Sequence, residues 1–430
     1  MKFLHVSDIH LGCNLYNIAD EERIKDYGRA WVDVLNRAIA EKVDFVLIGG
    51  DLFHRRNPAP RAINQAIWGL EALKRANIEV VAIEGNHDNL SGNKQYSWLH
   101  TLSVLKLLKF LCPQDQRRIE MKQWNEADGE GSFVDIGRAR IFGTLWHDNA
   151  VENIIAPLIE EIKNNRREGA FHILMLHAEI EGNHFSEKYL PLTKLFELRP
   201  FIDYVALGHI HQHFIHDEWA FNPGCLEITN VEEYEHSHGA LLIEVDERNR
   251  VEHRLVRDYY QRPFYKVRSN VSGKTAEEVL EETLEKVKSK INLSQKIKPI
   301  VKITLDGALG FEKSQISNNS ELISQIRQSV QESTDAFHIK IENNSYPNQL
   351  PVAVRMQGSE SREELELRVL EDLMAADINY RGSSHQMARL AIEVKNKITR
   401  REQDEEGKAK KLGENEVEEI ADFIERESGI

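Results

Sequence analysis

The segment Val81-Ala82-Ile83-Glu84-Gly85-Asn86-His87-Asp88 changes within eight residues from an apolar run to a turn that carries an amide, an imidazole and a carboxylate. A short apolar run bounded by glycine is typical of a strand that is covered on both faces. In open α/β sheets the ligand site lies beyond the carboxyl ends of the strands. The segment therefore predicts a buried strand that delivers polar side chains to a site.

Four further segments repeat this pattern, because an apolar run stops and His or Asp follows at once. They end in Asp8-Ile9-His10, Gly49-Gly50-Asp51, His177 and Gly208-His209-Ile210-His211. Taken singly, each end also fits a solvated strand end or a core histidine. All five segments together place at least two aspartates, one asparagine and at least five imidazoles along one rim. Such oxygen and nitrogen donors, without thiolates, suit two divalent metals, with Mn(II), iron and zinc all compatible.

Composition indicates a globular enzyme, since 41% of the 430 residues are apolar and 29% are charged. This length favours two or three domains. There is no apolar run of 18 residues and the chain enters a strand directly at Met1-Lys2-Phe3, so we expect a cytoplasmic protein without membrane contact. The net charge of -15 is unusual for a protein that acts on a polyanion, and predicts that another subunit holds any DNA.

The chain divides into a part that carries chemistry and a part that does not, because 16 of the 18 histidines lie before residue 268. After Arg262-Pro263-Phe264 the pattern becomes strand, helix, strand, helix, strand. We therefore predict a first domain over 1–262, a small α/β domain over 263–350 and a helical tail over 351–430. The tail either folds onto the α/β domain or serves as an arm that docks a partner.

The five motifs together resemble the signature of the calcineurin-like metallophosphoesterases, and the resemblance covers residues 1 to about 240. It implies the α/β fold class, as a four-layer αββα sandwich with two mixed sheets and a two-metal site at one edge. Further details resemble the SbcD-type nuclease subunits of double-strand-break repair, which carry a small α/β capping domain. These details are Asp51-Leu52-Phe53-His54 with Arg55-Arg56-Asn57-Pro58 after it, Asn222-Pro223-Gly224, and the exit at Arg262-Pro263-Phe264.

The resemblance also implies which residues hold the metals. One ion falls to Asp8, His10 and His211, the other to Asn86, His177 and His209, and Asp51 bridges them. A shared carboxylate keeps two dications about 3.5–4 Å apart, where both contact one phosphate and lower the pKa of the attacking water.

Other residues near the motifs are expected to act on the substrate. His87 would donate a proton to the leaving oxygen or stabilise the charge there, and Asp88 would orient His87. His54 would assist His87, although His54 also fits an exposed loop histidine. Arg55, Arg56 and Lys94 would contact a nucleic-acid backbone, although surface loops carry such residues by default.

The function implied by the resemblance is a two-metal DNA nuclease, with 3′–5′ exonuclease activity on duplex DNA and endonuclease activity on single strands. The resemblance also implies an SMC-like coiled-coil ATPase as partner, in break repair or defence. This sequence has no Gly-x-x-x-x-Gly-Lys-Ser/Thr motif of its own, so any ATP dependence must come from another polypeptide. The resemblance implies a homodimer, and helices near 62–74 and 96–108 fit its interface, although each equally fits a helix that covers a sheet. The alternatives are an enzyme for small phosphodiesters or phosphoproteins, and a scaffold without activity.

Overall fold

The computed structural model describes residues 1–14, 21–89, 97–113, 119–147, 151–183, 189–291, 296–317, 320–347, 362–376 and 384–401. The chain divides into two compact units. The first comprises Met1–Val267, Leu284–Ile303 and Arg327–Glu342, and the second Arg268–Thr283, Thr304–Ile326 and Asn343–Ile430. The predicted boundaries at 262 and 350 stay a prediction.

Two six-stranded sheets form the first unit. The strands, numbered in chain order, are β1 (Lys2–Val6), β2 (Phe45–Ile48), β3 (Glu79–Ala82), β4 (Lys109–Phe110), β5 (Phe133–Ile136), β6 (Ala139–Gly143), β7 (Phe171–His177), β8 (Tyr204–Gly208), β9 (Phe214–His216), β10 (Ala220–Asn222), β11 (Ala240–Val245) and β12 (Val251–Val256). The strand orders are β12-β11-β1-β2-β3-β4 and β5-β6-β7-β8-β10-β9. Both sheets mix parallel and antiparallel pairs, such as β1 with β2 and β1 with β11.

Side-chain alternation along the strands explains how the two sheets stack. Phe45 and Leu47 of β2 join an apolar cluster with Ile173 of β7, whereas Val46 and Ile48 join a separate cluster. Successive side chains of a strand point to opposite faces, so β2 buries one face against the other sheet and one against helices. The strands therefore read as continuous apolar runs rather than as alternating ones.

Helices cover the outer faces of both sheets. They are α1 (Glu21–Ala40), α2 (Pro60–Arg75), α3 (Trp98–Val104), α4 (Val151–Asn164) and α5 (Leu192–Phe196). Trp31 of α1 and Leu70 of α2 pack with the first sheet, and Leu158 of α4 packs with the second. The predicted four-layer α/β sandwich is confirmed, while the helix expected over 96–108 ends at Val104.

The remaining described elements follow the predicted alternation of strands and helices. They are β13 (Phe264–Asn270), α6 (Ala276–Lys290), β14 (Ile300–Leu309), α7 (Glu321–Thr334), β15 (His338–Pro347), α8 (Arg362–Ala376) and α9 (Ser384–Arg401). The three strands form one sheet in the order β13-β14-β15. Among the described helices, none combines the length and the apolar character that a membrane crossing needs.

Candidate metal centre

The loops that leave β1, β2 and β8 turn sharply and bring their polar residues to one edge. Asp8, His10, Asp51 and His209 all have positive φ, at 51°, 49°, 52° and 90°. Side chains other than glycine seldom adopt this conformation, which persists where surrounding contacts impose it and which clusters at functional sites. One such contact joins the two sheets, since the His209 backbone N–H donates to both carboxylate oxygens of Asp8, at 3.0 and 3.2 Å.

Asp51 lies at the middle of the site and is almost fully buried. Its Oδ2 is 3.5 Å from Nε2 of His177 and 3.8 Å from Nε2 of His10. Its Oδ1 accepts the backbone N–H of His87 at 2.9 Å. One carboxylate oxygen therefore faces imidazole nitrogens from two sides, as a ligand shared between two ions does.

Asp8, His10 and His211 form one group of donors. Their ligand atoms lie within 4.8 Å of one another. Nε2 of His10 is 3.0 Å from Nε2 of His211, which is 3.7 Å from Oδ1 of Asp8. Two imidazole nitrogens this close need a proton or a cation between them, so the group fits a divalent metal.

Asn86, His177 and His209 form the second group. Oδ1 of Asn86 is 3.3 Å from Nε2 of His177 and 3.1 Å from Nδ1 of His209. Nδ1 of His177 donates to the Gly49 carbonyl at 2.7 Å, so Nε2 is the nitrogen that faces Asn86 and Asp51. This group also fits a divalent metal, and all seven residues predicted as ligands are brought together at the edge.

The charges of the site favour a bound cation. Burial alone would raise the pKa of Asp51, but His177 and His10 hold that pKa well below its usual range. Burial alone would lower the pKa of His177, but the Asp51 carboxylate raises it to about 9. The ionised aspartate therefore holds a proton on a ligand nitrogen, and a metal that binds there displaces it.

His87 is fixed through one ring nitrogen only. Its Nδ1 donates to the His54 carbonyl at 2.7 Å, and the two imidazole rings stack with centroids 5.2 Å apart. Burial and the neighbouring His87 lower the pKa of His54 to about 4. The contact through Nδ1 fixes the orientation of the His87 ring.

The Asp88 carboxylate contacts backbone rather than the His87 ring, and its role in orienting His87 stays a prediction. The carboxylate accepts the backbone N–H groups of Leu52 and Phe53 at 3.1 Å and of Gly85 at 3.3 Å. The reason is that Nδ1 of His87 already has the His54 carbonyl, while Asp88 lies buried behind the loops. Burial and the charge of Asp51 raise the pKa of Asp88 to about 8. Asp88 thus joins the two loops that carry Asp51 and Asn86.

The predicted substrate residues lie beside the metal groups as far as the structure describes them. Arg55 and Arg56 are exposed and, with Asn57, Asn86 and His87, line an open cleft of about 610 Å³. Lys94 lies outside the described residues.

Three residues of the site were not found from the sequence. Oε1 of Glu233 is 3.0 Å from Nδ1 of His211, and Oε1 of Glu179 is 3.5 Å from Nε2 of His209. The Trp146 ring lies 4.8 Å from the His209 ring. All three fall outside the strand-end motifs. The one available signal was the spacing of Asn230 and Glu233, which is typical of a capping box.

Residues 1–213 match the sequence model of the calcineurin-like phosphoesterase family. The chain therefore contains a calcineurin-like phosphoesterase domain, as predicted, and domains of this family hydrolyse phosphoesters with divalent metals.

Several curated proteins are similar to this chain. It is 31% identical over 220 residues to the DNA double-strand break repair protein Mre11 of Archaeoglobus fulgidus, covering 49% of this chain and 46% of that protein. It is 27% identical over 334 residues to the protein of the same name from Sulfolobus acidocaldarius, covering 73% of this chain and 77% of that protein. It is 30% identical over 221 residues to the uncharacterized metallophosphoesterase YhaO of Bacillus subtilis, covering 49% of each. The chain thus spans about half the length of two of these relatives, and the predicted resemblance to break-repair nucleases is confirmed at the level of the sequence.

Proposed function

We propose that the chain is the nuclease subunit of a DNA break-repair complex and cleaves DNA phosphodiesters with two Mn(II) ions. The observation that carries this proposal is Oδ2 of Asp51, which lies 3.8 Å from His10 and 3.5 Å from His177 and so faces both donor groups. Relatives that are named as DNA double-strand break repair proteins support DNA as the substrate.

In this proposal the residues divide the work of the reaction. When bound, the two ions polarise the phosphoryl oxygens and lower the pKa of water. Asp8, His10 and His211 hold one ion, Asn86, His177 and His209 hold the other, and Asp51 is shared. His87 delivers a proton from Nε2 to the leaving oxygen, while its bond to the His54 carbonyl prevents the ring from turning. Arg55 and Arg56 bind phosphates along the open cleft.

Cleavage assays with Mn(II) test this function. Substrates are duplex DNA labelled at either end and circular single-stranded DNA, which separate 3′–5′ exonuclease from endonuclease activity. We expect His87→Gln to keep both ions and to lower the cleavage rate by about 10²–10⁴-fold. Asp51→Asn should lose both cleavage and the paired ions. His253→Gln changes a histidine that pairs with Glu218 away from the site, and serves as the matched control.

The outcome that opposes the proposal is a wild-type protein that binds Mn(II) and leaves all DNA substrates intact, with and without the ATPase. Faster turnover of a small phosphodiester such as bis(p-nitrophenyl) phosphate than of any DNA would instead favour the alternative substrate class. A protein that binds no metal at micromolar Mn(II) would favour a scaffold.

A homodimer forms part of this proposal. Trp68 of α2 is 62% exposed, and Val104 and Leu105, at the end of α3, are 69% and 52% exposed. Ile67 and Leu105 line the same surface pocket, so the two elements face a common surface. Adjoining exposed apolar side chains mark an interaction surface. We assign a second copy of this chain to it.

A coiled-coil ATPase of the SMC type is the proposed partner of α8 and α9. The two helices pack on each other, with Ala388 and Leu390 buried and His385 paired to Glu371 at 2.9 Å. Leu373 of α8 is nevertheless 59% exposed. Helices dock on coiled coils through apolar positions of this kind.

A cytoplasmic location without membrane contact belongs to the same proposal.

A further inference from the structure

A glutamate lies behind one of the metal histidines. Oε1 of Glu233 is 3.0 Å from Nδ1 of His211, and both side chains are mostly buried, at 16% and 17% exposed. Since a carboxylate accepts, Nδ1 of His211 donates to Glu233, and Nε2 is the nitrogen that faces Asp8 and His10. A carboxylate in this position fixes the tautomer and the ring orientation of a metal-binding histidine.

Glu233 is itself held by the backbone that precedes it. Its Oε2 accepts the N–H of Thr229 at 2.8 Å and that of Asn230 at 3.2 Å. The Thr229 hydroxyl donates to Oε1 at 3.2 Å. These contacts form the start of the 3-10 helix Val231–Glu235. Both oxygens of the carboxylate are therefore engaged, and its position depends on that short helix.

The neighbouring Glu232 ties the same 3-10 helix to strands that follow the phosphoesterase domain. It forms ion pairs with Lys266 of β13 and Lys302 of β14, whose side chains are 13% and 8% exposed. Lys302 also pairs with Glu342 of β15 at 2.8 Å. Hydrogen bonds from the two lysines lower the pKa of Glu232 to about 2. The ion pairs are thus present at all ordinary pH values.

We propose that Glu233 is a positioning residue for the ion at His211. Lys266 and Lys302 hold Glu233 in place through their ion pairs with Glu232. Strands outside the match to the phosphoesterase family therefore set the affinity of one metal. This inference rests on the proposed two-ion site, but it does not depend on DNA as the substrate.

Mn(II) binding to the full chain tests the role of Glu233. Isothermal titration calorimetry gives the two affinities, and electron paramagnetic resonance separates an exchange-coupled pair of ions from single ions. We expect Glu233→Gln to weaken one ion by about 10–100-fold and to leave the other unchanged. The spectrum is recorded with two equivalents of Mn(II), at a concentration below the dissociation constant of the weakened ion. Under these conditions the six-line spectrum of single ions should replace the signal of the coupled pair.

The matched control is Glu235→Gln, which removes the same charge from an exposed position on the same helix. It should keep both affinities. Thr229→Val provides a second variant if Glu233→Gln does not fold, and it should weaken the same ion. Wild-type affinities and a coupled signal in folded Glu233→Gln would overturn the positioning role.

The lysines are tested with the double variant Lys266→Gln/Lys302→Gln against Lys288→Gln, an exposed lysine of α6. We expect the double variant to weaken the ion at His211 less than Glu233→Gln does, and the control to change nothing. Unchanged affinities in the folded double variant would remove the lysines from the proposal. A wild-type protein that binds fewer than two ions would contradict the proposed function itself, whereas two ions unaffected by Glu233→Gln would contradict only this inference.

Discussion

His5 is a buried histidine that packs in the core and is not one of the candidate metal ligands. Its side chain is fully buried in β1 and lies 3.0 Å from the Tyr204 hydroxyl through Nδ1 and 3.0 Å from the Leu207 carbonyl through Nε2. The carbonyl only accepts, so Nε2 carries the hydrogen and Nδ1 accepts from the tyrosine. Burial lowers the pKa of His5 to about 3, and the ring is neutral in the folded protein.

This neutral ring makes stability depend on pH. Between the ordinary histidine pKa of 6.5 and the folded value of about 3, the unfolded chain binds a proton that the folded chain does not. The free energy of unfolding therefore falls with falling pH in that window, by up to about 1.4 kcal/mol per pH unit. We expect His5→Gln to lose this part of the slope in urea unfolding at pH 7, 6 and 5. His385→Gln, at an exposed position, should keep the wild-type slope, and equal slopes in all three proteins would contradict the assignment.

At the scale of elements, the exit of β2 needs glycine for two separate reasons. Gly50 has φ of +106°, and a Cβ there would lie 2.3 Å from Nδ1 of His177. Gly182 has φ of +83°, but a Cβ there would meet nothing within 4 Å. The two glycines therefore separate the cost of backbone conformation from the cost of a clash.

Alanine substitutions use this difference. Gly182→Ala should cost roughly 1–2 kcal/mol through the left-handed backbone alone. Gly50→Ala should cost more, because the methyl group also displaces His177, and it should weaken Mn(II) binding. Urea unfolding and calorimetric titration measure the two effects. Equal losses of stability in the two variants, with metal binding retained, would show that the approach of His177 does not require glycine.

At the scale of the whole molecule, the proposed homodimer can be tested at the surface around Trp68. We expect Trp68→Asp to convert a dimer into a monomer in sedimentation velocity experiments, because a charge would replace a large exposed apolar side chain of the proposed interface. Val32→Asp is the matched control, since Val32 is a 40% exposed apolar residue on α1. A wild-type monomer, or a Trp68→Asp dimer, would contradict the proposed interface.

The second test of assembly concerns α8. Leu373→Asp should weaken co-purification with the ATPase and leave Mn(II)-dependent cleavage by the isolated chain unchanged, because the metal groups found among the described residues include none from α8. Asp372→Ala, at the adjacent exposed position, should bind the partner normally. Undiminished co-purification of Leu373→Asp would remove this leucine from the docking surface.

The ligand types and the strands that carry them could be predicted from the sequence. An apolar run and the polar residues that follow it are local features, which can be recognised without knowing the tertiary structure. Asp51, Asn86 and His177 each follow a buried run, and that order is visible in the residues themselves. The helices and strands beyond residue 262 were predictable for the same reason.

Only the tertiary structure decided which strands are neighbours and what the polar groups contact. The strand ends that look like one rim come from two sheets, and Asp8 meets His209 across 201 residues of sequence. Asp88 holds backbone rather than an imidazole, and Glu233 reaches His211 from a short helix without a strand-end motif. Apolar periodicity reports that a strand is buried, but not against which partner. A hydrogen bond depends on that partner, because it requires two groups within about 3 Å in space, whatever their distance along the chain.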